Sequence, residues 1–130
     1  MVDDSSFSRR VLKLLLERQG SFRVVGEAVD GEEGLALARE LRPDVITLDM
    51  DMPRLNGLET LARLRQENDI PVVIVTALPP DHEHVKTLYV YAGVETVMKT
   101  YSSSSMDLSV FGNELISRIQ KVVRSRRQPT

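Results

Sequence analysis

Pro43-Asp44-Val45-Ile46-Thr47-Leu48-Asp49-Met50-Asp51-Met52-Pro53 is the stretch that decides the fold. Residues 45–48 form a short apolar, β-branched run without polar alternation, the pattern of a strand buried on both faces. Such strands belong to parallel sheets with helices packed above and below. Pro43 ends whatever helix precedes the strand, and a loop rich in acid, proline and glycine, Asp49 to Gly57, follows it.

Upstream, Leu35, Ala38 and Leu41 predict a helical face. The Asp30-Gly31 turn closes a short strand over 23–29, and Gly20 stops a first helix over about 5–19 with Phe7, Val11, Leu14 and Leu15 on one face. Downstream, Leu58, Leu61 and Leu64 mark a helix, and Pro71 introduces a second apolar strand, Val72 to Val75. Val85, Leu88, Tyr89 and Ala92 give another helix, with Gly93 behind it and a weaker strand over 94–98. After the serines 102–105 comes a last helix carrying Phe111, Leu115, Ile119, Val122 and Val123. Its basic end (Lys121, Arg124, Arg126, Arg127) suits the negative end of a helix dipole better than a nucleic-acid patch.

Strict alternation of helices and apolar strands predicts an α/β fold with a mostly parallel sheet covered on both faces. At 130 residues the chain fits a single domain, 1–130. Hydrophobic residues at 42% and charged residues at 28% are ordinary for a globular chain, and a net charge of −2 calls for neither nucleic acid nor an anionic membrane. The absence of cysteine removes disulfides, thiol catalysis and cysteine metal sites. No apolar run approaches the roughly 20 residues of a membrane span. Acids, serines and arginines follow Met1 at once, unlike a signal peptide, so a cytoplasmic location is expected.

In such sheets ligands collect at the carboxyl ends of the strands. Asp49 follows the strand 45–48, Thr76 follows 72–75, Lys99 follows 94–98, and Asp3 and Asp4 stand before the first helix. Carboxylates crowded on one edge repel one another unless a cation joins them, and oxygen ligands without His or Cys favour Mg²⁺. A carboxylate can attack a phosphoryl group to give an aspartyl phosphate, and Mg²⁺, Lys99 and the Thr76 hydroxyl could stabilise the transferring charge. Blander alternatives stand beside these: Asp49 as a turn aspartate, Asp3 and Asp4 as caps, Thr76 as a strand residue, Lys99 as a surface lysine. His82 and His84 are two apart, do not share a helical face, and are expected to be exposed, neither ligands nor phosphodonors.

The pattern Val2-Asp3-Asp4-Ser5, then Asp49-Met50-Asp51-Met52-Pro53 with Asn56-Gly57, then Val75-Thr76-Ala77, then Lys99, resembles the signature of response-regulator receiver domains. The likeness runs over essentially the whole chain, and PDVITLDMDMPRLNGLETL around Asp49 looks most like the receiver half of chemotaxis methylesterases. It implies a flavodoxin-like sheet in the order 2-1-3-4-5 and a two-component signalling module without enzymatic activity of its own. It further implies Asp49 as phosphoacceptor, phosphorylated by a histidine kinase, and Asp4 as a direct Mg²⁺ ligand with Asp3 beside it. The Asp51 backbone carbonyl would complete the metal site, Thr76 would contact phosphoryl oxygens, and Lys99 would pair with the phosphate or Asp49.

Three departures from the family pattern stand out. Thr100 replaces the proline usual after the lysine, and Thr96 stands where many receivers carry a switching aromatic. Only Met1 and Val2 remain of the buried first strand, which predicts that the strands 23–29 and 45–48 lose their shared neighbour. Unpaired buried backbone groups cost roughly 1–3 kcal/mol each. Rearrangement of the sheet or completion by a second copy of the chain is therefore expected, with a homo-oligomer favoured. Three functional readings follow: a working receiver, an oligomeric interaction protein of receiver descent that has lost phosphotransfer, and a regulatory fragment of a chemotaxis methylesterase.

Overall fold

The run after Pro43 does become a strand. In a computed structural model, which describes residues 1–18, 20, 22–50, 57–79, 81–99 and 108–127, β1 spans Ile46–Asp49 and all four of its residues are buried. β2 (Val72–Thr76) is equally buried, and β3 (Val94–Met98) is partly so. The three form a parallel sheet in the order β1-β2-β3, with Ile46 opposite Val72, Asp49 opposite Val75, and Thr76 opposite Met98. The helices are α1 (Ser6–Arg18), α2 (Gly31–Leu41), α3 (Gly57–Glu67), α4 (Glu83–Leu88) and α5 (Ser109–Arg127).

Alternate strand residues feed two apolar clusters, one on each face of the sheet. Ile46, Leu48, Val72 and Ile74 pack with Leu35 and Ala38 of α2, Leu61 and Leu64 of α3, and Leu88 of α4. Val73, Val75 and Val97 pack on the other face with α1 (Val11, Leu12, Leu15) and α5 (Phe111, Leu115, Ile119). Local chemistry ends the helices where the sequence suggests. Asp30 caps α2 by accepting the Glu33 amide at 2.9 Å, and Arg42 closes it in the left-handed region at φ 45°.

The first strand survives as a stub. Val2 bridges in parallel to both Ala28 and Leu48, so the spatial order from residue 28 through residue 2 to β1, β2 and β3 is that of a flavodoxin-like sheet. The Val2 amide donates to the Thr47 carbonyl at 2.8 Å, and the Asp49 amide donates to the Val2 carbonyl at 2.8 Å. On the other flank the Ala28 amide donates to Met1 at 2.8 Å, and the Asp3 amide donates to Ala28 at 2.9 Å. The expected loss of a shared neighbour is thus corrected at one position, because Val2 fills that place. Gly34 of α2 makes room for it: a Cβ there would lie 2.7 Å from Val2 Cγ2.

Several other expectations need correction. Residues 23–29 do not form a strand; the stub is too short to give them a ladder, and Ala28 alone bridges. Phe7 and Leu14, assigned to a buried helical face, are exposed, and Leu12 and Leu16 are buried instead. Leu41, Leu58 and Tyr89 are also exposed. The helix after Pro79 is shorter than its apolar spacing suggests, ending at Leu88 before the turn that leads to Gly93. His82 is half-buried in the turn before α4, not exposed as expected. The serines 102–105 lie outside the described residues.

Candidate functional site

Each strand delivers its last side chain to one edge. Asp49 is the final residue of β1, Asp3 follows the Val2 stub, and Lys99 follows β3, where its amide extends the ladder by donating to the Thr76 carbonyl at 2.7 Å. Asp3 and Asp49 are buried and Asp4 is exposed, yet carboxylate oxygens of all three lie within 4.8 Å of one another. Lys99 Nζ stands 3.6 Å from Asp49 Oδ1 and 3.8 Å from Asp3 Oδ2.

The surroundings of Asp3 show how the edge is held. Its Oδ1 accepts the Ser5 amide at 2.9 Å, and Ser5 Oγ accepts the Ser8 amide at 3.2 Å, which starts α1 directly above the acids. Asp3 Oδ2 is buried without a hydrogen-bond donor, so Lys99 is its nearest compensation among the described residues. The Asp3 carbonyl accepts Arg9 Nη1 at 2.7 Å, and Arg9 Nε pairs with Glu27 at 3.4 Å. The Met1 ammonium donates to the Gly26 carbonyl at 3.1 Å. Burial pushes its pKa below the usual amine value, against the upward pull of Glu27 and Asp3.

Gly57 explains the glycine in the Asn-Gly pair. Its amide donates to the Met50 carbonyl at 3.0 Å, and a Cβ there would lie 2.5 Å from both the Asp49 carbonyl oxygen and Met50 Cα. The start of α3 can press on the backbone of the strand end only because that position has no side chain. Asp51 falls outside the described residues, as does Thr100.

The other expected residues sit as follows. Thr76 is buried one place beyond Val75, the partner of Asp49 in the ladder. Its Oγ1 accepts the Leu78 amide at 3.1 Å, which leaves the hydroxyl proton available. It lines a cavity of about 270 Å³ shared with Leu78, Tyr89, Met98 and Phe111. Thr96, at the position of the switching aromatic, shares a hydrogen bond of 2.7 Å with the Tyr89 hydroxyl, so the aromatic ring comes from beyond α4 rather than from β3. A larger hollow of about 810 Å³, lined by Arg39, Arg42, Glu67, Asp69 and Arg126, includes none of these residues. Arg9, Glu27 and Ser5 were not anticipated as parts of the site. Only Ser5, a capping residue ahead of a helical pattern, carried a local signal.

A parallel sheet with paired helical faces and a carboxylate-lysine cluster at its carboxyl edge defines the class. The family profile of the response regulator receiver domain matches residues 1–110, and the chain belongs to that family. Protein-glutamate methylesterase/protein-glutamine glutaminase 2 of Nitratidesulfovibrio vulgaris is 38% identical over 127 residues, 97% of this chain and 35% of the relative. The corresponding protein of Methanosarcina acetivorans is 40% identical over 121 residues, covering 92% of this chain and 34% of the relative. The chain therefore spans about a third of the length of the curated relatives it matches. Among solved structures, the response regulator domain of Thermotoga maritima CheB superposes with a TM-score of 0.84 at 35% identity, covering 95% of this chain and 92% of that one. CheY in the CheX-CheY-BeF3-Mg²⁺ complex from Borrelia burgdorferi superposes at 0.76 with 25% identity, over 93% of this chain and 84% of that one. Among the described residues, no helix is long and apolar enough to cross a membrane.

Proposed function

We propose that this chain is a phosphoryl-accepting receiver module in a chemotaxis-type two-component system, with Asp49 as acceptor and Mg²⁺ as cofactor. The observation that carries the reading is the cluster of three carboxylates with one lysine. At an effective dielectric constant of about 20, two carboxylates about 4.8 Å apart repel by on the order of 3 kcal/mol. Asp3, Asp4 and Asp49 make three such pairs, and Lys99, close to two of the carboxylates, still leaves the cluster with a net charge of −2 that a divalent cation would match. A small divalent cation takes oxygen ligands at about 2.1 Å. Ligand oxygens around such an ion lie roughly 3–4 Å apart, within reach of side-chain rotation from the present spacing. The similar CheY that was solved with BeF3 and Mg²⁺ supports the same assignment.

Asp4, exposed at the mouth, and Asp49 would hold the ion directly, with Asp3 behind them and the Asp51 carbonyl completing the set. The ion would supply charge neutralisation for the transferring phosphoryl group. Asp49 Oδ attacks the phosphorus of a kinase phosphohistidine; the P–O bond forms as the P–N bond breaks, and the imidazole nitrogen retains the electron pair. The Lys99 ammonium then lies beside the new phosphate, and the Thr76 hydroxyl donates to one of its oxygens. The partner is a cytoplasmic histidine kinase. The relatives named above carry the name methylesterase and are about three times the length of this chain, so a methylesterase is the output that this receiver would regulate.

A second reading, an oligomeric protein of receiver descent without phosphotransfer, draws on the strand stub and on the exposed Val25 and Val29 along the uncovered flank. One experiment separates the two: intact mass after incubation with acetyl phosphate and Mg²⁺, with Asp49→Ala as control and light scattering on the same samples. A single added phosphoryl group that the control lacks supports the first reading. An unmodified wild-type mass, with a verified receiver labelled in parallel, rejects it. A monomer at every concentration removes the homo-oligomer.

A further inference from the structure

Asp3 and Asp4 directly follow Val2, the residue that bridges Ala28 and Leu48. Asp3 is tied to the sheet through its amide on Ala28, but its carbonyl lies past the point where the neighbouring chain turns away at Asp30 into the cap of α2. Arg9 holds that carbonyl: its Nη1 donates to it at 2.7 Å, and its Nε reaches Glu27 Oε1 at 3.4 Å on the neighbouring segment. Lys13 stands 3.9 Å from the other Glu27 oxygen. The Arg9 side chain is only 17% exposed, so the bond to the carbonyl is sheltered from water.

We propose that Arg9 is the positioning residue of the acidic edge. The Asp3 carbonyl belongs to the peptide plane that leads into Asp4, and a planar peptide has no freedom between the two residues. Clamping the carbonyl therefore fixes where the Asp4 backbone enters the edge, while the Asp3 amide and its Ser5 contact hold Asp3 itself. Arginine suits the task because its planar fork serves two acceptors in different directions, a carbonyl and a carboxylate. Lysine, a single point donor, would hold one of them at a time. Arg9 touches neither acceptor nor cation; it acts through Asp3 and Asp4.

The inference rests on the Mg²⁺-binding reading, and its test distinguishes failure of one from failure of the other. Isotope-labelled wild type, Arg9→Met, Arg9→Lys and Val122→Ala are titrated with Mg²⁺ and followed by the NMR resonances of Asp4, Asp49 and Lys99. Val122 is a core residue of α5 and controls for general destabilisation. Loss of an outer-shell partner typically weakens metal binding about 10–100-fold. Arg9→Met should raise the Mg²⁺ midpoint by at least about 10-fold, Arg9→Lys should fall between, and Val122→Ala should match wild type. A wild-type midpoint in Arg9→Met, or the same shift in Val122→Ala, overturns the proposal. If wild type itself ignores Mg²⁺, the metal reading fails and the cation-free spectra decide. Asp3 and Asp4 carboxyl resonances displaced in Arg9→Met but not in Val122→Ala uphold the positioning role; unmoved resonances reject it.

Discussion

Val2 bridges to both Ala28 and Leu48 and so joins the two flanks of the sheet, and the structure gives a way to measure that junction. Its side chain is buried against Gly34, where an added Cβ would come within 2.7 Å of Val2 Cγ2 and 3.1 Å of Cγ1. Val2→Ala removes two methyl-sized groups at roughly 0.8 kcal/mol each, plus a small cavity, for a loss of about 2 kcal/mol. Gly34→Ala gains about 1 kcal/mol of helix propensity inside α2 but forces the clash, which costs about 1–3 kcal/mol, for a net loss of about 0–2 kcal/mol. In the double variant the new methyl fills part of the space left by valine, and the propensity gain stays. Its net loss should be no more than about 1 kcal/mol, against an additive sum of about 2–4 kcal/mol. Urea unfolding followed by circular dichroism at 222 nm gives all four stabilities. A double variant whose loss equals the sum of the singles within about 0.5 kcal/mol would refute the packing of the stub on α2.

Further expectations concern the edge and its surroundings. Lys99→Ala leaves Asp3 and Asp49 without their ammonium at 3.6–3.8 Å and should lower stability in EDTA by about 1–3 kcal/mol; Mg²⁺ at 100 times its Kd should return up to about 2.7 kcal/mol. Thermal melts with and without Mg²⁺ check this, and a variant that melts with wild type in EDTA contradicts it. Thr47→Val should stabilise by about 1 kcal/mol, because the buried Thr47 Oγ1 has no hydrogen-bond partner and valine keeps the shape; an unchanged or lower urea midpoint would be the contrary result. Hydrogen bonds from Arg39 hold the Glu67 carboxyl below its usual value of 4.5, so this pair stabilises the fold above that value and the contribution fades as pH falls through the lowered one. The pair is exposed and the effect small. Urea midpoints of wild type and Arg39→Met should differ slightly at pH 6 and converge by about pH 3. A difference that grows in acid would reverse the assigned sign.

The sheet was legible because burial on both faces leaves a mark that survives without context: 45–48 and 72–75 are apolar at every or nearly every position, and both became fully buried strands. Residues 23–29 carry similar β-branched chemistry and failed to become a strand, because a strand needs a neighbour and the sequence of the segment itself does not reveal how much neighbour it has. Helical faces misled at Phe7 and Leu14 for a related reason. Periodicity places residues around a helix, but which side of a two-layer packing a borderline position meets depends on the tertiary partner, here α5 against Leu12, Leu15 and Leu16. At the site, Asp3, Asp49 and Lys99 were readable from their positions after strands. Arg9 and Glu27 were not, since a guanidinium that serves a backbone carbonyl six residues back and a carboxylate 18 residues on has no spacing rule to betray it.

That division follows from where the forces act. Parallel strands end on one edge, so any side chain placed one residue past a strand reaches the shared site, and the sequence encodes the position by counting. How well the side chains are aimed depends instead on the contacts that hold the strand ends. Asp49 sits opposite Val75 in the β1–β2 ladder and its amide donates to Val2, while the Lys99 amide donates to the Thr76 carbonyl at the end of β2. For Asp3 and Asp4 the contacts beyond the Val2 bridge come from side chains and a helix start: Ser5, Arg9 and Lys99. The two halves of the site therefore differ in what disturbs them. Changes in the core beneath β1 and β3 should act on Asp49 and Lys99 only through global stability. A single change in the first turn of α1 should loosen the acidic pair while the rest of the protein stays folded.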